Sequence, residues 1–325
     1  MVRASAPGKC ILFGEHAVVY GEPAVAVAID ARVEVAISAC KGEWKVDGNP
    51  LIVERHPHIV SLREAVIGAD SSPHSLMVQS DLFPAAGLGS SAALSAATCA
   101  SLLGLIGDEL DLERVATLAH LAEAAAQEGR ASPVDTSTAT LGGCVLLSNQ
   151  KEELAEWRYT RTLKTPDGEF SWEIHSVDLP AEAREAWLVV GSTGIHSPTG
   201  KMVSGVAELL SRQPELREVI SKMGLVARAG VTALSSGNLE EVGHLMDLAH
   251  SLLQEIDVSC PELDRLVEVA RPTSLGAKMT GAGGGGCMIA LTLNPKATAE
   301  AIEMRGGRVI ITPLGAPGVR IEESP

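Results

Sequence analysis

The chain has 325 residues, enough for two domains of ordinary size, and its 46% hydrophobic content can fill a core. Aromatics are only 3%, so that core is expected to be built from Val, Leu, Ile and Ala. A net charge of −15 excludes the basic, aromatic-lined surface that nucleic acid requires, and an anionic substrate would need the few cations gathered at one site.

Cys10, Cys40, Cys99, Cys144, Cys260 and Cys287 form no C-x-x-C pair, so they read as free thiols of a reducing cytoplasm. The opening "MVRASAPGKC" has no apolar run followed by a cleavage site, and no secretion signal is expected. Between Asp81 and Asp108 lie 26 uncharged residues, long enough to span a bilayer. The run is Ala, Ser and Gly rather than Leu and Ile, and Gly87 and Gly89 interrupt its start. A buried helix is expected there, and no membrane.

In chain order, "CILFGEHAVVYGEPAVAVAI" holds two apolar runs, and "RVEVAIS" alternates as a half-buried strand does. Asp47-Gly48 marks a hairpin-like turn. A helix near "PHIVSLREAVIG" and a strand at "HSLMVQSDL" follow, then the Ala-rich helix after Ser91. "DLERVATLAHLAEAAAQ" is an amphipathic helix with Asp111 as N-cap. "GRASPVDTSTATLGG" reads as a loop into a helix or turn, and "CVLLS" as a strand. Residues 150–182 are charged, hold two of the four Trp, and read as strands and connections joining two halves. "AWLVVGSTG" is a buried strand. Helices are expected near 201–213, 214–236, 238–252 and 260–271, and strand-like runs flank a final glycine loop. The order suits an α+β fold without tandem repeats.

Three segments carry chemistry. "APGKCILFGEHAVVYG" gathers Lys9, Glu15 and His16; taken singly, each is more often a solvated loop charge. "PAAGLGSSAALSAA", Pro84 to Ala97, turns on glycines and opens a helix, so its N–H groups suit a phosphate. Ser90 and Ser91 suit capping or a Mg2+ ligand, though a capped helix after a turn explains the stretch equally well. It has no lysine of its own. "KMTGAGGGGCMIAL" has Gly281 and Gly283–Gly286 set directly against an apolar run, which suits close backbone approach better than a linker. His56 and His58 lack further ligands at metal spacing. His244 and His250 have no H-E-x-x-H pattern and read as packing or surface groups. No G-x-S-x-G elbow marks a hydrolase.

Together the three segments, in order and spacing, resemble the GHMP kinases over nearly the whole chain. "GKCILFGEHAVVYG" and "SPVDTSTATLGG" are similar to the branch that phosphorylates mevalonate, in its compact archaeal form. The resemblance implies a two-domain fold: a ribosomal protein S5 domain 2-like domain at 1–180 with a phosphate loop at 84–94, and a ferredoxin-like domain at 181–325 with a glycine segment at 280–286. It implies ATP as co-substrate, Mg2+, mevalonate as acceptor, and a place in isoprenoid synthesis, and it allows a homodimer. Another small-molecule kinase of the family, or a non-catalytic nucleotide-binding regulator, stands as the alternative. By the family pattern Asp135 accepts the alcohol proton and Lys9 lies at the reacting phosphate. Pro84, Ala85, Ala86, Gly87, Leu88, Gly89, Ser90, Ser91 and Ala92 hold the nucleotide. Ser91 and Glu123 hold Mg2+, with Glu128 the competing carboxylate because one extra residue precedes Gly129. Glu15, His16, Thr193, Gly281 and Ala282 border the substrate, with Ser197 and Lys201 as further candidates. Ala85 stands where the family has its first loop glycine.

Overall fold

The computed structural model describes the chain except Glu128, Arg130, Pro166, Asp167, Ser197, Ser324 and Pro325. The first half begins with β1 (Val2–Phe13) and β2 (Ala24–Ala39), then a small hairpin of β3 (Lys45–Val46) and β4 (Asn49–Pro50). Next come α1 (Pro57–Ile67), β5 (His74–Ser80), α2 (Ser90–Ile106), α3 (Leu112–Ala126), α4 (Pro133–Leu141), β6 (Cys144–Ser148), β7 (Glu156–Thr165) and β8 (Gly168–Val177). The second half holds α5 (Ala181–Arg184), β9 (Trp187–Ser192), α6 (Thr199–Arg212), α7 (Arg217–Ser235), α8 (Leu239–Glu255) and α9 (Pro261–Ala270). It ends with β10 (Gly276–Thr280), β11 (Cys287–Thr292), α10 (Pro295–Glu303), β12 (Arg308–Pro313) and β13 (Arg320–Glu322).

Among the described residues, two sheets form. The larger runs β4-β3-β5-β2-β6-β8-β7, with β1 on β2 and β13 on β1. The smaller is the antiparallel β10-β11-β9-β12. Residues 320–322 thus return to the first sheet after the second is complete. The two apolar runs and the alternating run of the N-terminal region become only two long strands, and β2 continues unbroken through Asp30 and Arg32. Arg32 is tolerated there because its guanidinium donates to Ser5 Oγ at 2.8 Å and to the carbonyls of Ser5, Pro317 and Gly318. As expected, residues 150–182 hold strands, β7 pairing with β8 at the edge of the first sheet, and the chain then runs on through α5 to β9 of the second half.

One aliphatic cluster runs through both halves, from Ala4 on β1 to Leu291 on β11, with Phe13 and Trp44 its buried aromatic members. α2 supplies an Ala-rich face to it, eleven of its residues being buried, because small side chains let the helix lie close on β1 and β2. No helix among the described residues is long and apolar enough to cross a membrane. All six cysteines are free.

Candidate active site

The phosphate loop lies between β5 and α2. Gly89, with φ +73°, is the N-cap of α2, and no side chain caps the helix. The expectation that Ser90 or Ser91 caps it is therefore corrected: Ser90 is the first helical residue, and Ser91 turns its hydroxyl to Glu123. With no side chain on the first N–H groups, that end stays available to an anion. Ala85 takes φ +52°, the left-handed conformation a glycine would adopt more cheaply.

Lys9 supplies the cation the loop lacks. Its backbone N–H donates to Leu88 O at 2.9 Å, its Nζ donates to Gly87 O at 3.3 Å, and the same Nζ lies 3.2 Å from Asp135 Oδ1. A Cβ on Gly89 would come within 2.9 Å of Lys9 Cγ, so the glycine makes room for the lysine stem. Asp135 sits in the first turn of α4, which Ser132 caps and Pro133 opens. The two side chains differ in exposure, 6% for Lys9 and 36% for Asp135, so the carboxylate is the one open to a second molecule.

Ser91 and Glu123 meet, although they are 32 residues apart. Ser91 Oγ donates to Glu123 Oε2 at 2.9 Å, Ser95 Oγ donates to Oε1 at 3.0 Å, and Gln127 Nε2 donates to Oε2 at 2.9 Å. His58, on α1, brings Nε2 to 3.1 Å from Oε1. Burial by itself would raise the Glu123 carboxyl, but His58 and the serine hydroxyls hold it below its usual value. A carboxylate and a hydroxyl in contact are hard oxygen donors. They fit a Mg2+ that takes its other ligands from phosphate and water. Glu128, the competing carboxylate, lies outside the described residues, as does Ser197.

The glycine segment faces the loop. A cavity of about 160 Å³ is lined by Ala85, Ala86 and Gly87 on one side and by His196, Thr199, Thr280, Ala282, Gly283, Gly285 and Gly286 on the other. Gly283 has φ +84°, and a Cβ there would meet Val258 O at 1.9 Å, so no other residue fits. His196 Nδ1 reaches across to Ala85 O at 3.1 Å.

Several residues expected at the substrate also make contacts that join the halves. Glu15 is 2% exposed and its Oε1 is paired with the fully buried Lys278 of β10. The sequence reading put it on the acceptor side; its other oxygen, Oε2, has no hydrogen-bond partner among the described residues. Thr193 Oγ1 donates to Gly286 O at 2.9 Å, which ties its hydroxyl to the glycine segment. His16, with φ +59°, donates from Nε2 to Ala282 O at 2.9 Å, while its buried Nδ1 has no hydrogen-bond partner among the described residues. Burial lowers its pKa, and the bond to Ala282 opposes this. Gly281 lies beside the loop, its Cβ direction 3.8 Å from Gly87 O. Lys201 lines a separate cavity between α6 and residues 256–258.

Sequence reasoning gave His58 no role at the site, where it in fact meets Glu123, and did not single out His196, Thr199, Thr280 or Lys278. Lys278 and Thr280 stand in the glycine-rich motif, and His196 and Thr199 lie between the candidates Thr193 and Lys201. The Thr280 hydroxyl both donates to Ile11 O at 3.0 Å and accepts from Ile11 N at 2.9 Å.

A lysine and a carboxylate set across a glycine loop from a second glycine segment define a small-molecule kinase of the GHMP type. The N-terminal domain of GHMP kinases matches residues 58–143, and their C-terminal domain matches residues 231–305. The mevalonate kinase of Pyrococcus furiosus is 35% identical over 99% of this chain and 98% of its own length. That of Archaeoglobus fulgidus is 33% identical over 98% and 99%. A crystal structure of L. major mevalonate kinase in complex with R-mevalonate superposes with a TM-score of 0.76 at 25% identity, covering 95% of each chain. The chain belongs to the mevalonate kinase family of the GHMP kinases.

Proposed function

We propose that this protein transfers the γ-phosphoryl group of ATP to the primary alcohol of (R)-mevalonate, giving 5-phosphomevalonate and ADP in the cytoplasmic route to isoprenoids. The observation that carries the reading is the contact of Lys9 with both Gly87 O and Asp135, which sets one ammonium between a phosphate loop and a carboxylate. Phosphoryl transfer needs chiefly in-line placement and charge stabilisation. In this reading Lys9 meets the transferring oxygens and Asp135 takes the alcohol proton. The loop 84–94 and the first turn of α2 hold the phosphates, and the glycine segment 280–286 of the second half faces them. Ser91 and Glu123 would hold Mg2+, which neutralises phosphate charge when bound. His16 and Glu15 would border the acceptor.

A panel of alcohols and phosphomonoesters with ATP tests the reading. ADP release is expected to be highest with mevalonate. A higher turnover on homoserine or phosphomevalonate would move the protein to another branch, and no release with any acceptor would make it a nucleotide-binding regulator.

A further inference from the structure

The chemistry above leaves β7 without a role. This strand pairs only with β8 among the described residues, at the end of the sheet. Its inward positions follow a period of two, Tyr159, Arg161 and Leu163. Each touches the segment that carries Asp135 or the helix beside it. Tyr159, 5% exposed, donates its hydroxyl to Ser137 Oγ at 3.1 Å. Arg161 Nε donates to His120 Nδ1 at 2.9 Å, and the Nε2 of the same ring bonds Ala131 O at 3.0 Å. Leu163 packs with Ala131 and Ala124.

Ala131 and Ser137 stand four residues before and two after Asp135. They bracket the turn where the loop becomes α4. His120 is fully buried on α3, one turn ahead of Glu123, so its ring spaces the Ala131 carbonyl from the helix that bears the metal-candidate carboxylate. Arg161 fixes the tautomer: a guanidinium only donates, so Nδ1 accepts and Nε2 carries the proton that Ala131 O receives. Burial, opposed by the Ala131 bond, brings the ring's pKa down to about 4, which keeps Nδ1 free for that role at neutral pH. An aliphatic cluster would fill the same space without desolvating a guanidinium. It would not fix where one carbonyl and one hydroxyl sit.

We infer that strand β7 positions the Asp135 carboxylate, holding Ser137 through Tyr159 and Ala131 through Arg161 and His120. This rests on the reading of Asp135 as the base. The three side chains are positioning residues: they act on the reaction through the backbone on either side of Asp135.

The test compares Tyr159→Phe, Arg161→Met and Arg161→Lys in the full chain, and Tyr159→Phe again on an Asp135→Asn background, with folding followed by circular dichroism. Tyr159→Phe and Arg161→Met are each expected to lower kcat roughly tenfold, since small misplacement of a reacting group is costly. KM for ATP and for the alcohol should stay within about twofold, because neither residue meets a substrate. Arg161→Lys should recover part of the loss. On the Asp135→Asn background, Tyr159→Phe should leave the residual turnover unchanged, there being no base left to misplace. Parental kcat in both single variants overturns the inference while the base reading stands. The same fractional loss on both backgrounds overturns it as general loosening. Parental turnover in Asp135→Asn itself removes the base, and this inference with it. If Arg161→Met does not fold, the isosteric Tyr159→Phe pair decides alone.

Discussion

Lys9 has its ammonium shared between Gly87 O and Asp135, and its stem lies along Gly89. A lysine so enclosed does not serve solubility. Lys9→Met is expected to lower kcat strongly, by roughly the 10²–10³-fold typical of losing one preorganised charge-stabilising donor, with a smaller effect on nucleotide affinity. Steady-state kinetics beside nucleotide binding by calorimetry checks this; an unchanged kcat would send the search for the cation elsewhere. Ser90 and Ser91 are neighbours with different surroundings. Ser91 touches Glu123, and Ser90 caps nothing. Ser91→Ala should therefore shift the Mg2+ dependence of turnover to higher concentration, and Ser90→Ala should leave it near the parent. Identical Mg2+ profiles for the two variants would remove the metal role from Ser91.

The join between β1 and β10 is made at element scale. Thr280 brackets Ile11, His16 bonds Ala282, and Lys278 is paired with Glu15 in full burial. Burial pushes the Glu15 carboxyl up and the Lys278 ammonium down, while their attraction opposes both. Breaking such a pair strands a charge. Glu15→Gln is expected to cost about 3–5 kcal/mol, and adding Lys278→Met should restore most of it. Chemical denaturation of the single and double variants measures the coupling; additive losses would show that the two groups do not share one interaction. This pair also marks where the sequence stops being legible. Glu15 and Lys278 are 263 residues apart, and "GAKMT" reads as a polar entry to a glycine loop, with nothing to announce a partner. The same holds for β13, three residues that pair with β1 from the far end of the chain. What is local reads well. Asp111 caps α3 by accepting from Glu113 and Arg114 N–H, and α2 follows its glycine turn. The sequence reading passes over α10 although Asn294 caps it and Pro295 opens it, because the strand-like runs on either side are stronger signals. At the site, resemblance supplied Lys9, Asp135, Ser91 and Glu123. It could not supply His58 or Tyr159, which reach the site only through α1 and an edge hairpin.

Across the whole molecule, acid should act on both halves together. His120 is buried in the first half and His250 in the second, the latter accepting from Met279 N–H of β10 at 3.2 Å and lying 3.2 Å from Asp264. Burial lowers each to about 4, against opposing contacts with the Ala131 carbonyl and with Asp264. In the unfolded chain each would titrate near its ordinary value of about 6.5. Above that pH neither state binds the proton, and these groups leave stability unchanged. Between about 6.5 and 4 only the unfolded chain binds it, so stability falls as the pH falls. At pH 5 the loss is roughly 2 kcal/mol for each histidine, while most ordinary carboxylates are still ionised. Because one apolar cluster runs through both halves, the loss should appear as a lower midpoint of a single transition. Urea melts at pH 7, 6 and 5 measure it. His250→Asn should flatten the pH dependence by its own share, and a midpoint that does not move between pH 7 and 5 would mean that neither ring is kept neutral by the fold.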